Sequence, residues 1–208
     1  MKRRLLFVAI VCLSLGPMST AQEETPKPVL SNSPLTADEV TVFRAVLRDY
    51  LKGAHGVMLL ANTTVSVVDQ SPTSVRTCSD QISARPDPQS INVVHRIDPS
   101  VVAGLHVKLA NPDAQEKEIE ANDPQNLIHG AIDEGRQVTT EQFDDSTRKA
   151  FNSALFTFSE IVFDQKHVNA VVSYSFSCGS LCGNGNTLTL RKVGKEWKVS
   201  KHCGGWVS

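Results

Sequence analysis

The sequence predicts an α+β domain, and three observations support this class. The last quarter of the chain contains runs that alternate apolar and polar residues and are separated by turn residues, which is typical of antiparallel strands. The segment after Thr36 instead repeats apolar residues at helical spacing. Two later segments also carry helix signals. We therefore expect a C-terminal four-stranded antiparallel meander with two or three helices packed on it.

The first helix and the meander have the clearest boundaries. Thr36 and Glu39 form a capping box, and Gly53 stands where a helix would end. Between the first helix and the meander we predict six segments: a strand over 57–69, a loop over 73–90, a short strand over 91–97, a helix over 98–109, a solvated acidic segment over 113–126 and a helix over 143–151. The meander strands are predicted over 155–163, 168–177, 187–193 and 196–202, with a tight loop over 178–185.

The N-terminus has the order of a secretory signal peptide over residues 1–21. Residues 2–4 are basic, residues 5–15 are apolar, and Ser19-Thr20-Ala21 is a small-residue cleavage site. A membrane-spanning helix needs about 20 apolar residues, which is longer than this run. We expect cleavage after Ala21 and no membrane insertion of the mature protein.

The mature protein is expected to have a disordered leader over 22–34 and a single α+β domain over 35–208. The leader is rich in proline and polar residues and has little to bury. The whole chain has 21 basic and 22 acidic residues, and cleavage removes three basic ones, so 18 remain against 22 and the net charge is −4. That balance argues against a nucleic-acid partner or an anionic membrane surface.

Four cysteines remain after Cys12 is lost with the signal peptide, and an even number in an exported chain favours disulfides. Three pairings are possible. We favour Cys178 with Cys182, which closes a glycine-bearing loop, and Cys78 with Cys203, which ties the middle of the chain to its end.

The last quarter contains a particular order of residues: Phe158-Ser159-Glu160-Ile161-Val162-Phe163, Ala170-Val171-Val172, Cys178-Gly179-Ser180-Leu181-Cys182-Gly183-Asn184-Gly185, Leu190, Gly194-Lys195-Glu196-Trp197-Lys198-Val199 and Trp206-Val207-Ser208. This order resembles the C-terminal CGxLCGxG...GxW...W signature of a set of uncharacterised secreted bacterial proteins. The resemblance implies a bacterial exported protein of the periplasm or cell exterior. It implies no known activity and assigns no catalytic residue.

Three specific chemistries would use residues of the cysteine loop. A zinc site would combine Cys178, Cys182 and Cys203 with His202, but adjacent strand residues point to opposite faces, so we expect disulfides and no metal. The sequence around Cys178 departs from that of papain-type proteases at Leu181. A phosphate loop would need a helix after its glycines, so we expect these glycines to take positive φ in a tight turn instead. No cofactor is expected.

The six histidines form no recognised catalytic or metal-binding spacing: His55, His95, His106, His129, His167 and His202. This absence favours a non-catalytic binding or structural module whose partner is a protein or a cell-envelope ligand. The candidate binding residues are Gly183, Asn184, Gly185, Trp197 and Trp206, although packing is the more common role for such tryptophans. The alternative is a small exported hydrolase in which Glu160 acts with Asp164 or a histidine.

Overall fold

The structure, a computed structural model, describes residues 27–53, 56–67, 72–82 and 93–208. The predicted signal peptide and the first part of the predicted leader lie outside the described residues. The described helices are α1 (Ala37–Tyr50), α2 (Pro72–Gln81), α3 (Pro112–Asn122), α4 (Pro124–Asp133) and α5 (Thr140–Ser153). The described strands are β1 (Val29–Leu30), β2 (Met58–Ala61), β3 (Val93–Val94), β4 (Val107–Ala110), β5 (Leu155–Phe158), β6 (Val162–Phe163), β7 (Asn169–Gly179), β8 (Cys182–Val193) and β9 (Glu196–Val207).

The predicted α+β class is confirmed, with a mostly antiparallel sheet that is larger than the predicted meander. Seven strands lie in one sheet in the order β4-β2-β5-β7-β8-β9, and β6 also pairs with β7. From β5 to β9 all neighbours are antiparallel, whereas β2 runs parallel to both β4 and β5. The predicted strand 155–163 is therefore two strands, which are interrupted at residues 159–161 and share β7 as a partner.

The main core lies between α1 and one face of the sheet. The inward face of α1 consists of Val42, Phe43, Val46 and Leu47, all at most 1% exposed. These side chains pack with aromatic residues from neighbouring strands, and the Phe43 and Phe158 rings lie 4.7 Å apart. Burial of this apolar face against the sheet is what stabilises the helix, since its own hydrogen bonds contribute little net free energy.

A second apolar cluster covers the opposite face of β7. Val172 and Tyr174 face α1, whereas Val171 packs with Val75 and Cys78 of α2. Successive residues of a strand point to opposite faces, so the sheet is sandwiched between α1 and α2 at this strand. A smaller cluster joins Ile119 of α3 to the β2 and β5 end of the sheet.

The predicted loop over 73–90 is wrong in its first half, which forms α2. Val75 and Cys78 are buried one helical turn apart, and Ile82 packs one turn further on. This apolar stripe is so narrow among polar residues that the sequence pattern resembles a loop. Residues 83–90 lie outside the described residues.

The predicted helix over 98–109 is also wrong. Asp98 does cap a turn, because its side chain accepts the Ser100 N–H at 2.7 Å, but the turn ends after Pro99–Val101. Gly104 has a φ of +72°, which leaves the helical region, and β4 follows.

The segment over 113–126 is mostly exposed, as predicted, and it is helical, which was not predicted. Asn111 accepts the N–H of Ala114 at 3.0 Å and Pro112 takes the first helical position, so this pair begins α3. This pair follows the predicted helix over 98–109, and no helix was predicted to begin there. In the predicted disordered leader, Val29 and Leu30 form β1, which pairs in parallel with β3.

Candidate functional site

The candidate binding residues Gly183, Asn184 and Gly185 lie in β8, and the turn itself consists of Ser180 and Leu181. Gly179 has a φ of +135°, but Gly183 and Gly185 do not have the positive φ expected of them. The reason for these two glycines is therefore a close packing contact and not a turn.

Trp206 provides that contact. It pairs with Gly185 across β8 and β9, and a Cβ on Gly185 would lie 2.7 Å from the indole Cε2 and 2.9 Å from the Tyr174 carbonyl. A Cβ on Gly183 would lie 3.2 Å from the indole Cη2. Trp206 thus rests directly on the backbone of β8, and it remains 40% exposed.

The cysteines lie at disulfide distance in the two favoured pairs. The Cα atoms are 5.9 Å apart for Cys78 and Cys203, and 5.1 Å apart for Cys178 and Cys182. The first pair joins α2 to β9, and the second spans the turn between β7 and β8. Across the described ranges, no group of three or more histidine, cysteine, aspartate or glutamate residues is arranged to hold a metal.

Asp123 holds the turn that the second cysteine pair spans. Its carboxylate caps α4 at the Gln125 N–H, 2.9 Å away, and accepts the Ser180 N–H at 2.7 Å. Burial opposes its ionisation, but the hydrogen bonds from Ser180 and Gln125 outweigh burial and lower the pKa of Asp123. The turn is therefore attached to a helix start as well as closed by its cysteines.

Glu160 is buried at the interruption between β5 and β6, where it joins three chain segments. Its Oε1 accepts the His95 N–H at 2.8 Å and the Thr64 hydroxyl, and its Oε2 lies 3.0 Å from His95 Nδ1. Burial raises the pKa of Glu160 despite these hydrogen bonds and the nearby imidazole. The His95 side chain is 17% exposed.

Asp164 has a separate, structural position. Its carboxylate accepts the N–H of Val168 at 2.8 Å and the side-chain amide of Asn169 at 2.7 Å, which closes the turn before β7. Burial opposes its ionisation, but these hydrogen bonds outweigh burial and lower the pKa of Asp164. Of the two partners considered for Glu160, the structure pairs it with a histidine.

A cleft of about 460 Å³ lies between α1 and the β8–β9 hairpin; we call it the α1–β9 cleft. Seven charged residues line it: Arg44, Arg48 and Asp49 from α1, Lys52 from the helical turn that follows α1, and Lys195, Glu196 and Lys198 from the hairpin. Basic residues outnumber acidic ones five to two, so the cleft suits an anionic group.

Trp197 lies at the edge of this cleft but belongs to the core, with 5% of its surface exposed. Its indole N–H donates to Asp38 at 3.4 Å, and Lys192 pairs with the same carboxylate at 2.7 Å. The hydrogen bond from Lys192 is the main cause that lowers the pKa of Asp38. Trp197 thus packs against α1 and Phe163 rather than presenting a free ring.

Sequence reasoning missed the α1–β9 cleft and the partner of Glu160. The cleft had one local signal, because Arg44, Arg48 and Lys52 recur every four residues along a predicted helix and so share a face. Glu160 also had a signal, since it is the acidic residue in an apolar strand pattern. Nothing in the local sequence connects it to His95.

No protein-family model, curated protein or solved structure matches this chain. Within the described part of the chain, every helix is too short or too polar to span a bilayer.

Proposed function

We propose that this chain is an exported, non-catalytic binding module of the bacterial periplasm or cell exterior, and that its ligand binds in the α1–β9 cleft. The observation that carries the proposal is the pair Arg48 and Lys195. They come from the helix and the hairpin that form the cleft, and neither side chain has a hydrogen bond or ion pair among the described residues.

The acidic residues of the cleft favour binding over catalysis. Asp49 pairs with Lys52 at 2.7 Å, and Glu196 lies 3.8 Å from Lys198. Each carboxylate therefore has a nearby cation, whereas acid–base catalysis needs a carboxylate or imidazole free to exchange a proton with the substrate.

Nuclear magnetic resonance of the mature protein with a mixed set of acidic, neutral and basic fragments tests the binding function. We expect amide shifts to cluster at residues 41–52 and 195–199. Thr41→Trp, which adds bulk at the cleft, should reduce these shifts, and Ala114→Trp on the exposed side of α3 should not. Shifts confined to other regions, or no shifts at all, would contradict the proposal.

Export is supported by the signal-peptide pattern and by four cysteines at disulfide distance, because disulfides persist in oxidising compartments. We expect the mature protein to begin near Gln22. N-terminal sequencing of protein recovered from the periplasm or the medium measures this directly, and a sequence that still began at Met1 would contradict cleavage.

The pairing of Glu160 with His95 favours a second candidate function, a small exported hydrolase. In the tautomer that carries the proton on Nδ1, the buried carboxylate of Glu160 orients the His95 imidazole and leaves Nε2 as the proton acceptor. His95 would take a proton from water as the water oxygen attacks a carbonyl carbon, and would then return the proton to the leaving group.

Hydrolysis of p-nitrophenyl acetate separates the two functions. For a hydrolase, His95→Gln should lower kcat by about 100-fold or more, while the exposed His106→Gln should leave it unchanged. Equal rates for the wild type and His95→Gln would leave the pair with a purely structural role.

A further inference from the structure

Positive charge is concentrated in the α1–β9 cleft, although the expected net charge of the mature chain is negative. Five basic and two acidic residues line the cleft, a local excess of three positive charges, whereas the mature chain is expected to carry four net negative charges. A cleft with such an excess concentrates the field and attracts anions from solution.

A contribution to the stability of the fold explains the basic residues on only one wall of the cleft. Arg48 and Lys52 lie near the C-terminus of α1, where cations interact favourably with the helix dipole. Arg48 and Lys52 carry like charges four residues apart, and their repulsion reduces this stabilisation. Lys195 and Lys198 lie on the facing hairpin, where no helix dipole accounts for them.

Most of these cations already have partners. Arg44 donates to the carbonyls of Ser100 at 2.6 Å and Ala103 at 3.0 Å, which fastens α1 to the short helical turn beneath it. Lys52 and Lys198 are the partners of the two cleft carboxylates described above. Among the described residues, Arg48 and Lys195 therefore remain without a partner, one on each wall of the cleft.

We infer that the α1–β9 cleft binds a small polyanion, a ligand with at least two carboxylate or phosphate groups, one for Arg48 and one for Lys195. The inference rests on the proposed binding function and specifies its ligand class. A guanidinium presents paired N–H donors that match either group, and an ammonium adds a point charge. The volume of about 460 Å³ lies within the range of small-molecule sites.

Calorimetric titration of the mature protein with citrate and with pyrophosphate tests this ligand class. Total ionic strength is held constant, so that screening cannot mimic competition. We expect at least one probe to bind. Binding of citrate alone identifies carboxylate as the recognised group, binding of pyrophosphate alone identifies phosphate, and both results support the inference.

Charge-neutralising variants locate the binding. Arg48→Gln and Lys195→Gln should each raise the Kd at least about tenfold, since each removes a charge-assisted contact. Both side chains are exposed, so the fold should tolerate the changes, and a thermal unfolding midpoint equal to the wild type checks this. Lys117→Gln on the exposed side of α3 is the matched control and should leave the Kd unchanged.

The outcomes separate the ligand class from the binding function. If neither anion binds, or if Lys117→Gln weakens binding as much as Arg48→Gln, the polyanion inference fails. If neither anion binds but neutral fragments still shift the cleft amides, the binding function stands while the ligand class is wrong. If no fragment shifts the cleft amides, both the polyanion inference and the binding function are wrong.

Discussion

The buried carboxylate of Glu160 makes the stability of the fold depend on pH. Burial raises its pKa above the ordinary value of 4.5, so the folded protein retains this proton at pH values where the unfolded chain has released it. When the folded state binds more protons than the unfolded state, the free energy of unfolding falls as pH rises. The contribution of Glu160 to the free energy of unfolding is therefore greatest below pH 4.5 and is lost as pH rises through the raised pKa.

Glu160→Gln removes this titration and keeps an oxygen that can accept from Thr64 and the His95 N–H. We expect the unfolding free energy of the wild type, relative to that of the variant, to fall as pH is raised from about 4 to about 7. Urea unfolding at a series of pH values measures the difference.

Asp164→Asn is the control of opposite sign, because the pKa of Asp164 is lowered below 3.8. Its contribution is present above that value and is lost as pH falls through the lowered pKa. The wild type should thus lose stability relative to Asp164→Asn on acidification. A difference for Glu160→Gln that does not change with pH, or that grows with rising pH, would refute the assigned direction.

Individual residues were predictable where their role is local. Glu160 stands out as an acid in an apolar strand pattern, so the sequence indicates that it has a special role. Its partners Thr64 and His95 come from segments that meet only after β2 and β3 are in place. Pairings of this kind depend on the whole topology, and no local pattern carries them.

The pairing of β8 with β9 depends on the absence of a side chain at Gly185. The register places Trp206 opposite Gly185, and the indole occupies the space that a Cβ would need. The other obstacle is the carbonyl oxygen of Tyr174 on β7, which is backbone and cannot rotate away. Both neighbours of β8 therefore resist any larger residue.

Gly185→Ala should lower the free energy of unfolding by about 1–3 kcal/mol, the usual cost of overpacking. Gly130→Ala is the matched control, because Gly130 lies in α4 with no atom within 4 Å of the added Cβ. That change should stabilise the protein by up to about 1 kcal/mol, since alanine favours helix. Chemical denaturation measures both, and an unchanged stability for Gly185→Ala would show that the indole contact does not restrict β8.

Capping residues in the sequence locate the start of some helices but not of all. Thr36 with Glu39 and Thr139 with Gln142 form complete capping boxes, and α1 and α5 begin there. Asn111 and Pro112 begin α3 and were not predicted to do so, although an Asn followed by Pro suits a helix start. α2 carries too few apolar residues to give a clear helical period.

The complete sheet combines local and long-range pairing, and only the first was predictable. β7, β8 and β9 follow one another through short turns, so alternation and turn residues predict them well. The parallel pairs of β2 with β4 and β5 join strands that are distant in sequence. Parallel pairing leaves no turn signal, and for that reason the predicted sheet stopped at the meander.

The two cysteine pairs should contribute very different amounts to the stability of the whole protein. A cross-link stabilises mainly by restricting the unfolded chain, and its effect grows with the length of the loop that it closes. Cys178 and Cys182 are separated by 4 positions, and Cys78 and Cys203 by 125. The entropic estimate is about 2 kcal/mol for the short loop and about 5 kcal/mol for the long one.

We expect the double variant Cys178→Ser with Cys182→Ser to lose about 2 kcal/mol at most, because Asp123 still holds the turn through Ser180. Cys78→Ser with Cys203→Ser should lose more, since α2 then has only a narrow apolar stripe to attach it to the sheet. Urea unfolding of the two double variants gives the order, and peptide mapping under non-reducing conditions gives the pairing in the wild type. A larger loss from the short pair, or a peptide that joins Cys78 to Cys178 or Cys182, would refute this assignment.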